Sequence, residues 1–114
     1  MKTYRIINLE DGMPTVADAM TALGREIRLA KRHGLAAVKL IHGFGSTGKG
    51  GKIRVAARRE LEALQKRGYV KGVIPGEKLS IFDEDTRRAF ARCPELRRDP
   101  DLERHNNGVT IVLL

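Results

Sequence analysis

The chain reads AVKLIHGFGSTGKGGKIRV from residue 37 to residue 55, and this stretch indicates the class of fold more clearly than the rest of the sequence. The apolar run at 37–41 has the length of a buried strand, and five glycines in the nine positions 43–51 argue against regular structure there. An amphipathic helix is predicted next, from about Lys52 to Arg67, because apolar residues recur in it at helical spacing. Strand, glycine-rich loop and helix in this order are typical of one unit of an α/β sheet.

A similar unit precedes this stretch. Residues 4–9 favour a strand, which the turn-forming Asp11-Gly12 pair ends, and Thr15 suits the N-cap of a helix. Apolar residues then recur three and four positions apart as far as Ala30, and Gly34 is placed to terminate the helix. The first half of the chain therefore predicts the order β-α-β-α.

The second half predicts two more strands. Residues 69–74 form the third strand, and residues 109–114 form an almost wholly apolar last strand after a turn at 106–108. Between them, residues 79–82 are either a further strand or the approach to a short helix, which Asp83 would cap and Cys93-Pro94 would end.

Alternating strands and helices imply crossover connections and a largely parallel sheet. We therefore expect a two-layer β-α-β-α-β sandwich with a mostly parallel four-stranded sheet and both long helices on one face. A chain of 114 residues suffices for one core and is short for two, so residues 1–114 are predicted to form a single domain.

The composition indicates a polyanionic partner. Lysine and arginine number 22 against 14 acidic residues, a formal net charge of +8. Cys93 is the only cysteine, which excludes an intrachain disulfide and a metal site built from cysteines. The sequence shows neither a signal peptide nor an apolar run of ~20 residues that could span a membrane, so we expect a cytoplasmic protein.

Positive charge concentrates in the glycine-rich loop and the helix after it. From Lys49 to Arg67 there are seven basic and two acidic residues, a net charge of +5. Ligands of α/β sheets gather beyond the carboxyl ends of the strands, where backbone N–H groups and a helix N-terminus favour anions. We therefore predict a site for the phosphates of DNA or RNA, formed by Gly43, Gly45, Lys49, Lys52, Arg54, Arg58 and Arg59.

Other interpretations of the same residues stay open. The loop could be a plain connection, the basic helix face could simply be solvated, and His42 could support its own turn. Phe44 could stack on an unpaired base or fold back onto the core, although aromatic residues make up only 4% of the chain. Residues 43–49 match the first seven positions of a nucleotide-binding P-loop, but Gly50 stands where that motif needs a hydroxyl for Mg²⁺.

Several short motifs together resemble a known family. An apolar strand at 38–41, His-Gly-x-Gly from residue 42, an apolar residue and arginine opening the next helix, and a terminal Gly-x-Thr-x-Val strand are similar to the Smr (small MutS-related) domain. These positions are His42, Gly43, Gly45, Ile53, Arg54, Gly108, Thr110 and Val112. The resemblance implies a β-α-β-α-β sandwich, nucleic-acid binding, and DNA-nicking or RNA-cleaving endonuclease activity.

The chain departs from the family at its N-terminal signature, Leu-Asp-x-His. Residues 7–10 read INLE, so Asn8 replaces the acid and Glu10 replaces the histidine. Two hypotheses follow: a structure-specific endonuclease, or a catalytically degenerate module that binds without cutting. In the first, His42 is the main catalytic group because the unperturbed pKa of a histidine lies near neutrality, Glu10 supports it, and His105 is a further acid–base candidate. No cofactor or metal ligand set is predicted, apart from Mg²⁺ if the protein is a nuclease.

Overall fold

Four strands and three α-helices form the part of the chain that the computed structural model describes, residues 4–43 and 50–114. In chain order they are β1 (Tyr4–Asn8), α1 (Val16–Arg32), β2 (Ala37–Ile41), α2 (Gly50–Lys66), β3 (Gly72–Pro75), α3 (Glu84–Arg92) and β4 (Val109–Leu113), with 3₁₀ turns at Gly76–Lys78 and Pro94–Arg98. The predicted β-α-β-α order is confirmed. Between the third and last strands, the helix alternative is correct, and the Asp83 carboxylate accepts a hydrogen bond from Thr86 N as its N-cap.

The sheet is mixed, with the strand order β1-β2-β4-β3. β1 and β2 are parallel, whereas β4 lies between β2 and β3 and is antiparallel to both. The prediction of a mostly parallel sheet is therefore wrong. The crossovers through α1 and α2 do keep the first three strands in one direction. However, β4 begins at the end of the sheet where β3 ends. It therefore runs between β2 and β3 in the direction opposite to both.

Apolar residues cover both faces of the sheet. α1 and α2 bury one face, in a cluster that includes Leu23, Ile27, Leu40, Leu61 and Val112. α3 and the Pro94–Arg98 turn bury the other, in a cluster that includes Ile74, Phe90, Leu96, Ile111 and Leu113. The expected two-layer sandwich is thus wrong. Because all five residues of β4 are buried, both faces of the sheet need a cover.

The helix ends largely follow the sequence signals. Thr15 caps α1 by accepting a hydrogen bond from Asp18 N at 3.0 Å, and Gly34 follows the helix with a φ of +72°, as predicted. α2 begins at Gly50, two residues earlier than expected, so the last two glycines of the run are helical. None of the helices in the described ranges is long and apolar enough to cross a membrane.

The third strand begins later than the sequence indicates. Tyr69 and Val70 lie in the turn after α2 instead, where their N–H groups donate to the Leu64 carbonyl at 2.9 and 3.5 Å. β-branched and aromatic residues favour a strand, but here the first residues after the helix satisfy its last carbonyls. The strand itself spans only Gly72–Pro75.

Candidate nucleic-acid interface

The predicted site lies where the carboxyl ends of β1, β2 and β3 meet the start of β4. Asn8 is paired with Ile41, Ile41 with Val109, and Pro75 with Thr110, so the segments that follow these strands emerge at one end of the sheet. The structure thereby brings the regions of Glu10, His42 and the start of α2 together, as the sequence predicted.

His42 is fully buried at the end of β2. Its Nδ1 is 2.9 Å from the Gly43 carbonyl and its Nε2 is 2.8 Å from Thr110 Oγ1. Because a carbonyl can only accept, we assign the proton to Nδ1, which leaves Nε2 to accept from the Thr110 hydroxyl. Burial lowers the pKa of His42, and the positive charges of Arg58 and Arg54 lower it further. The imidazole is therefore neutral at pH 7, with both ring nitrogens bonded inside the protein.

Arg58 continues this chain of hydrogen bonds. Its Nε donates to Thr110 Oγ1 at 3.3 Å, and its two terminal nitrogens donate to the two Glu77 carboxylate oxygens at 2.8 and 2.7 Å. These hydrogen bonds from Arg58 lower the pKa of Glu77. The predicted phosphate ligand Arg58 is thus engaged within the protein, where it holds the start of β4 to the turn after β3.

Glu10 lies against the backbone of Gly43. Gly43 has a φ of +74°, and a Cβ at this position would overlap the Glu10 carboxylate. The Asn8 side chain holds the turn after β1, since its Oδ1 accepts a hydrogen bond from Glu10 N at 2.9 Å. Asn8 and Glu10 are the two residues that differ from the Leu-Asp-x-His signature. Asn8 therefore fixes the turn after β1, and Glu10 places its carboxylate next to Gly43.

The other predicted cations face solvent or border on it. Lys52 and Arg59 are exposed and Arg54 is half-buried. Their side chains form no ion pair or hydrogen bond with any residue in 4–43 or 50–114. Lys52 and Arg59 are seven residues apart, about two helical turns, so they share one side of α2 with Val55, which is half exposed. Gly45, Lys49 and Phe44 lie outside the described residues.

A buried ionic cluster supports the site from the opposite face of the sheet. Lys39 is 3% exposed, and its Nζ lies 2.8 Å from Asp99 and 2.5 Å from Asp101. Burial alone would lower the pKa of Lys39, but hydrogen bonds to Asp101 and Asp99 outweigh it and raise the pKa. The Asp101 carboxylate accepts from the Asn106 amide at 2.9 Å, which continues the cluster towards β4.

The turn before β4 connects this cluster to the site. Asn106 Oδ1 accepts from Gly108 N at 2.9 Å, and Gly108 O accepts from the backbone N–H groups of His42 and Gly43, both at 3.0 Å. His105, the further acid–base candidate, is exposed beside this turn, with Nδ1 3.3 Å from Glu77 O. Sequence reasoning missed Glu77 and the Lys39 cluster, because neither belongs to a motif and their partners are 19 to 62 positions away.

The sequence matches no protein-family model and no curated protein. Among solved structures, the chain is similar to the Smr domain of Thermus thermophilus MutS2, with a TM-score of 0.60 and 22% sequence identity over 96% of both chains. The chain has the fold of an Smr domain. In this Smr-like fold, the side chains of His42 and Thr110 are in direct contact, although 68 positions separate the two residues.

The residues that the structure describes include no candidate metal centre. Within residues 4–43 and 50–114, no group of three or more histidine, cysteine or acidic side chains is arranged to hold a metal ion. Glu10 and His42 do approach the same strand end, but the ring nitrogens of His42 are already bonded to Gly43 and Thr110.

Proposed function

We propose that this protein binds nucleic acid through the outward side of α2. The observation that supports this most is the exposure of Lys52 and Arg59 on one side of the helix, with no intramolecular partner among the described residues. Cations that are not used inside the protein are free to exchange their counterions and water for phosphate oxygens.

The position of these cations strengthens the proposal. Lys52 and Arg54 lie in the first two turns of α2, where the helix dipole adds partial positive charge, and no acidic residue occupies the first turn. The positive charge of Arg54 also affects the residues after β2 and β3, since it lowers the pKa of both His42 and Glu77. A phosphate near the start of α2 would therefore meet only positive charge from this helix end.

Two observations favour binding without cleavage. A general base must reach the proton it removes, but His42 is fully buried and both its ring nitrogens are bonded within the protein. The turn that carries Glu10 is held by Asn8, which cannot act as an acid or a base. We therefore prefer the degenerate-module hypothesis, and cleavage through His42 with Glu10 as its support stays the alternative.

Charge reversal tests the binding proposal. The double variant Lys52→Glu/Arg59→Glu should bind a labelled duplex at least roughly tenfold more weakly at low salt, because two phosphate contacts are lost. The matched control is Arg92→Glu/Arg98→Glu, which makes the same charge change on exposed residues of the α3 side. Equal affinities of the two variants in fluorescence anisotropy titrations would refute a localised site on α2.

A cleavage assay separates the two hypotheses. Supercoiled plasmid and structured RNA are incubated with the protein, with and without Mg²⁺. A binding module leaves both intact. Nicking that His42→Ala abolishes, with binding retained, would instead establish the endonuclease and give His42 the catalytic role.

A further inference from the structure

A cleft opens between the C-terminal ends of α1 and α2, away from the His42 end of the sheet. It has a volume of about 650 Å³, which is within the range of ligand sites. Two of its lining residues, Gly24 of α1 and Gly68 after α2, have no side chain to fill it. Its other polar and aromatic lining residues are Arg28, Lys31, Glu60, Arg67 and Tyr69.

Positive charge dominates the cleft. Three of the lining side chains are cationic and Glu60 is the single acidic one, so the net charge is +2. Arg28 and Arg67 are exposed, and within the described ranges neither forms an ion pair or a side-chain hydrogen bond. Within the described residues, these two guanidinium groups therefore have no protein partner and are available to a ligand.

The rim of the cleft is held in place by Lys31. Its Nζ donates to the Tyr69 carbonyl at 2.6 Å and lies 3.7 Å from the centre of the Tyr69 ring. This contact joins α1 to the turn that follows α2, and it covers one face of the ring. The cleft is therefore built from two packed helices and the turn after α2, in which Lys31 holds Tyr69.

We propose that this cleft is a second phosphate-binding site and that the protein binds a nucleic-acid duplex that spans the distance from the cleft to the start of α2. The inference rests on the proposed function, because it adds a second contact to the one proposed on α2. At ~1.5 Å of rise per residue, Lys52 and Arg67 lie about 22 Å apart along the helix. That span equals the axial length of about six base pairs at roughly 3.4 Å each. Lys66 continues the line of Lys52 and Arg59, another seven residues further.

The chemistry of this surface fits a duplex better than a single strand. Single-strand sites combine cations with aromatic rings on which bases stack. Here the cations stand along one helix, and one face of the Tyr69 ring is occupied by Lys31. Contacts of this kind recognise the regular phosphate spacing of a duplex rather than its bases.

Duplex length provides the test. Binding is measured by anisotropy for a hairpin stem of about 4 base pairs, which is shorter than the span of the two sites, and for a duplex of about 16 base pairs. Arg28→Glu/Arg67→Glu should weaken binding of the long duplex by about tenfold and binding of the short stem by no more than about twofold, because a short stem contacts one site at a time and can still bind at the start of α2. Arg92→Glu/Arg98→Glu is the control for net charge, and unfolding midpoints verify that all variants are folded.

The outcomes separate this inference from the proposed function. If Arg28→Glu/Arg67→Glu binds the long duplex like the wild type while Lys52→Glu/Arg59→Glu does not, the second site is refuted and the binding function stands. If neither variant loses affinity, both are refuted. An equal loss for the short stem and the long duplex, or equally tight binding of a single strand of the same length, would also overturn the inference.

Discussion

The imidazole Nε2 of His42 lies 2.8 Å from the hydroxyl oxygen of Thr110, deep in the end of the sheet where both side chains are fully buried. This bond links β2 to β4, and Arg58 adds α2 by donating to the same hydroxyl at 3.3 Å. A buried polar group without a partner costs more than a hydrogen bond gains, so the three residues depend on one another. The pattern is that of a structural junction beneath the proposed binding surface.

Removing the Thr110 hydroxyl tests this junction. Thr110→Val keeps the shape of the side chain but leaves His42 Nε2 without its donor, so the free energy of unfolding should fall by about 1–3 kcal/mol. Thr21→Val is the matched control, because the Thr21 hydroxyl is exposed and donates only to Ala17 O. Urea unfolding measures both variants. Equal midpoints for the two would show that the buried bond adds no stability.

The stability of the protein should depend on the protonation of His42. Burial lowers its pKa in the folded state, so in mildly acidic solution the unfolded state binds more protons than the folded state. The contribution of neutral His42 is fully present above the unfolded pKa of about 6.5 and is lost as the pH falls through that value towards the folded pKa. The difference in unfolding free energy between wild type and His42→Gln should therefore shrink between about pH 7.5 and 5.5. A constant difference would contradict the burial argument.

Lys39 should tolerate replacement poorly. Lys39→Met leaves Asp99 and Asp101 beside the core without their cation, and breaking a buried ion pair in this way costs about 3–5 kcal/mol. Lys66→Met, at an exposed position on α2, should change the unfolding free energy by less than about 0.5 kcal/mol. A loss of under 1 kcal/mol for Lys39→Met, on the order of an exposed pair, would mean that the cluster is dispensable.

Gly43 should be required for its backbone conformation and for the space it leaves. Gly43→Ala places a side chain at a φ of +74° and pushes the Glu10 carboxylate aside, with an expected cost of about 1–2 kcal/mol. In Glu10→Ala/Gly43→Ala the overlap is gone, so the cost of the alanine at position 43 should be smaller than in the wild-type background. Identical costs in both backgrounds, measured by a double-mutant cycle, would show that Glu10 moves away freely.

The fold could be predicted from the sequence as far as local signals reach. The Thr15 cap, Gly34 and the apolar periodicity gave α1 nearly to the residue, and the Asp83 cap marked the start of α3. The direction of β4 could not be predicted in this way. It depends on how residues 76–108 return along one end of the sheet, which no periodicity encodes.

The candidate site, too, could be predicted only in part from the sequence. The sequence placed His42, Gly43 and the cations of α2 in one region, because a strand end and a helix start must be neighbours in this fold. It could not distinguish Arg58, which is bonded to Glu77, from Arg59, which is exposed one position later. That distinction depends on partners brought by β3 and β4, so it exists only in the folded chain.

The salt dependence of duplex binding is the sharpest test of a nucleic-acid interface on α2. The logarithm of the association constant is measured against the logarithm of the salt concentration for the wild type, Lys52→Glu/Arg59→Glu and Arg92→Glu/Arg98→Glu. Loss of two phosphate contacts should flatten the slope by about 1.8 for the α2 variant, at ~0.9 per contact, and leave the control near the wild type. Equal slopes for all three proteins, or equal flattening in both variants, would contradict a nucleic-acid interface on α2.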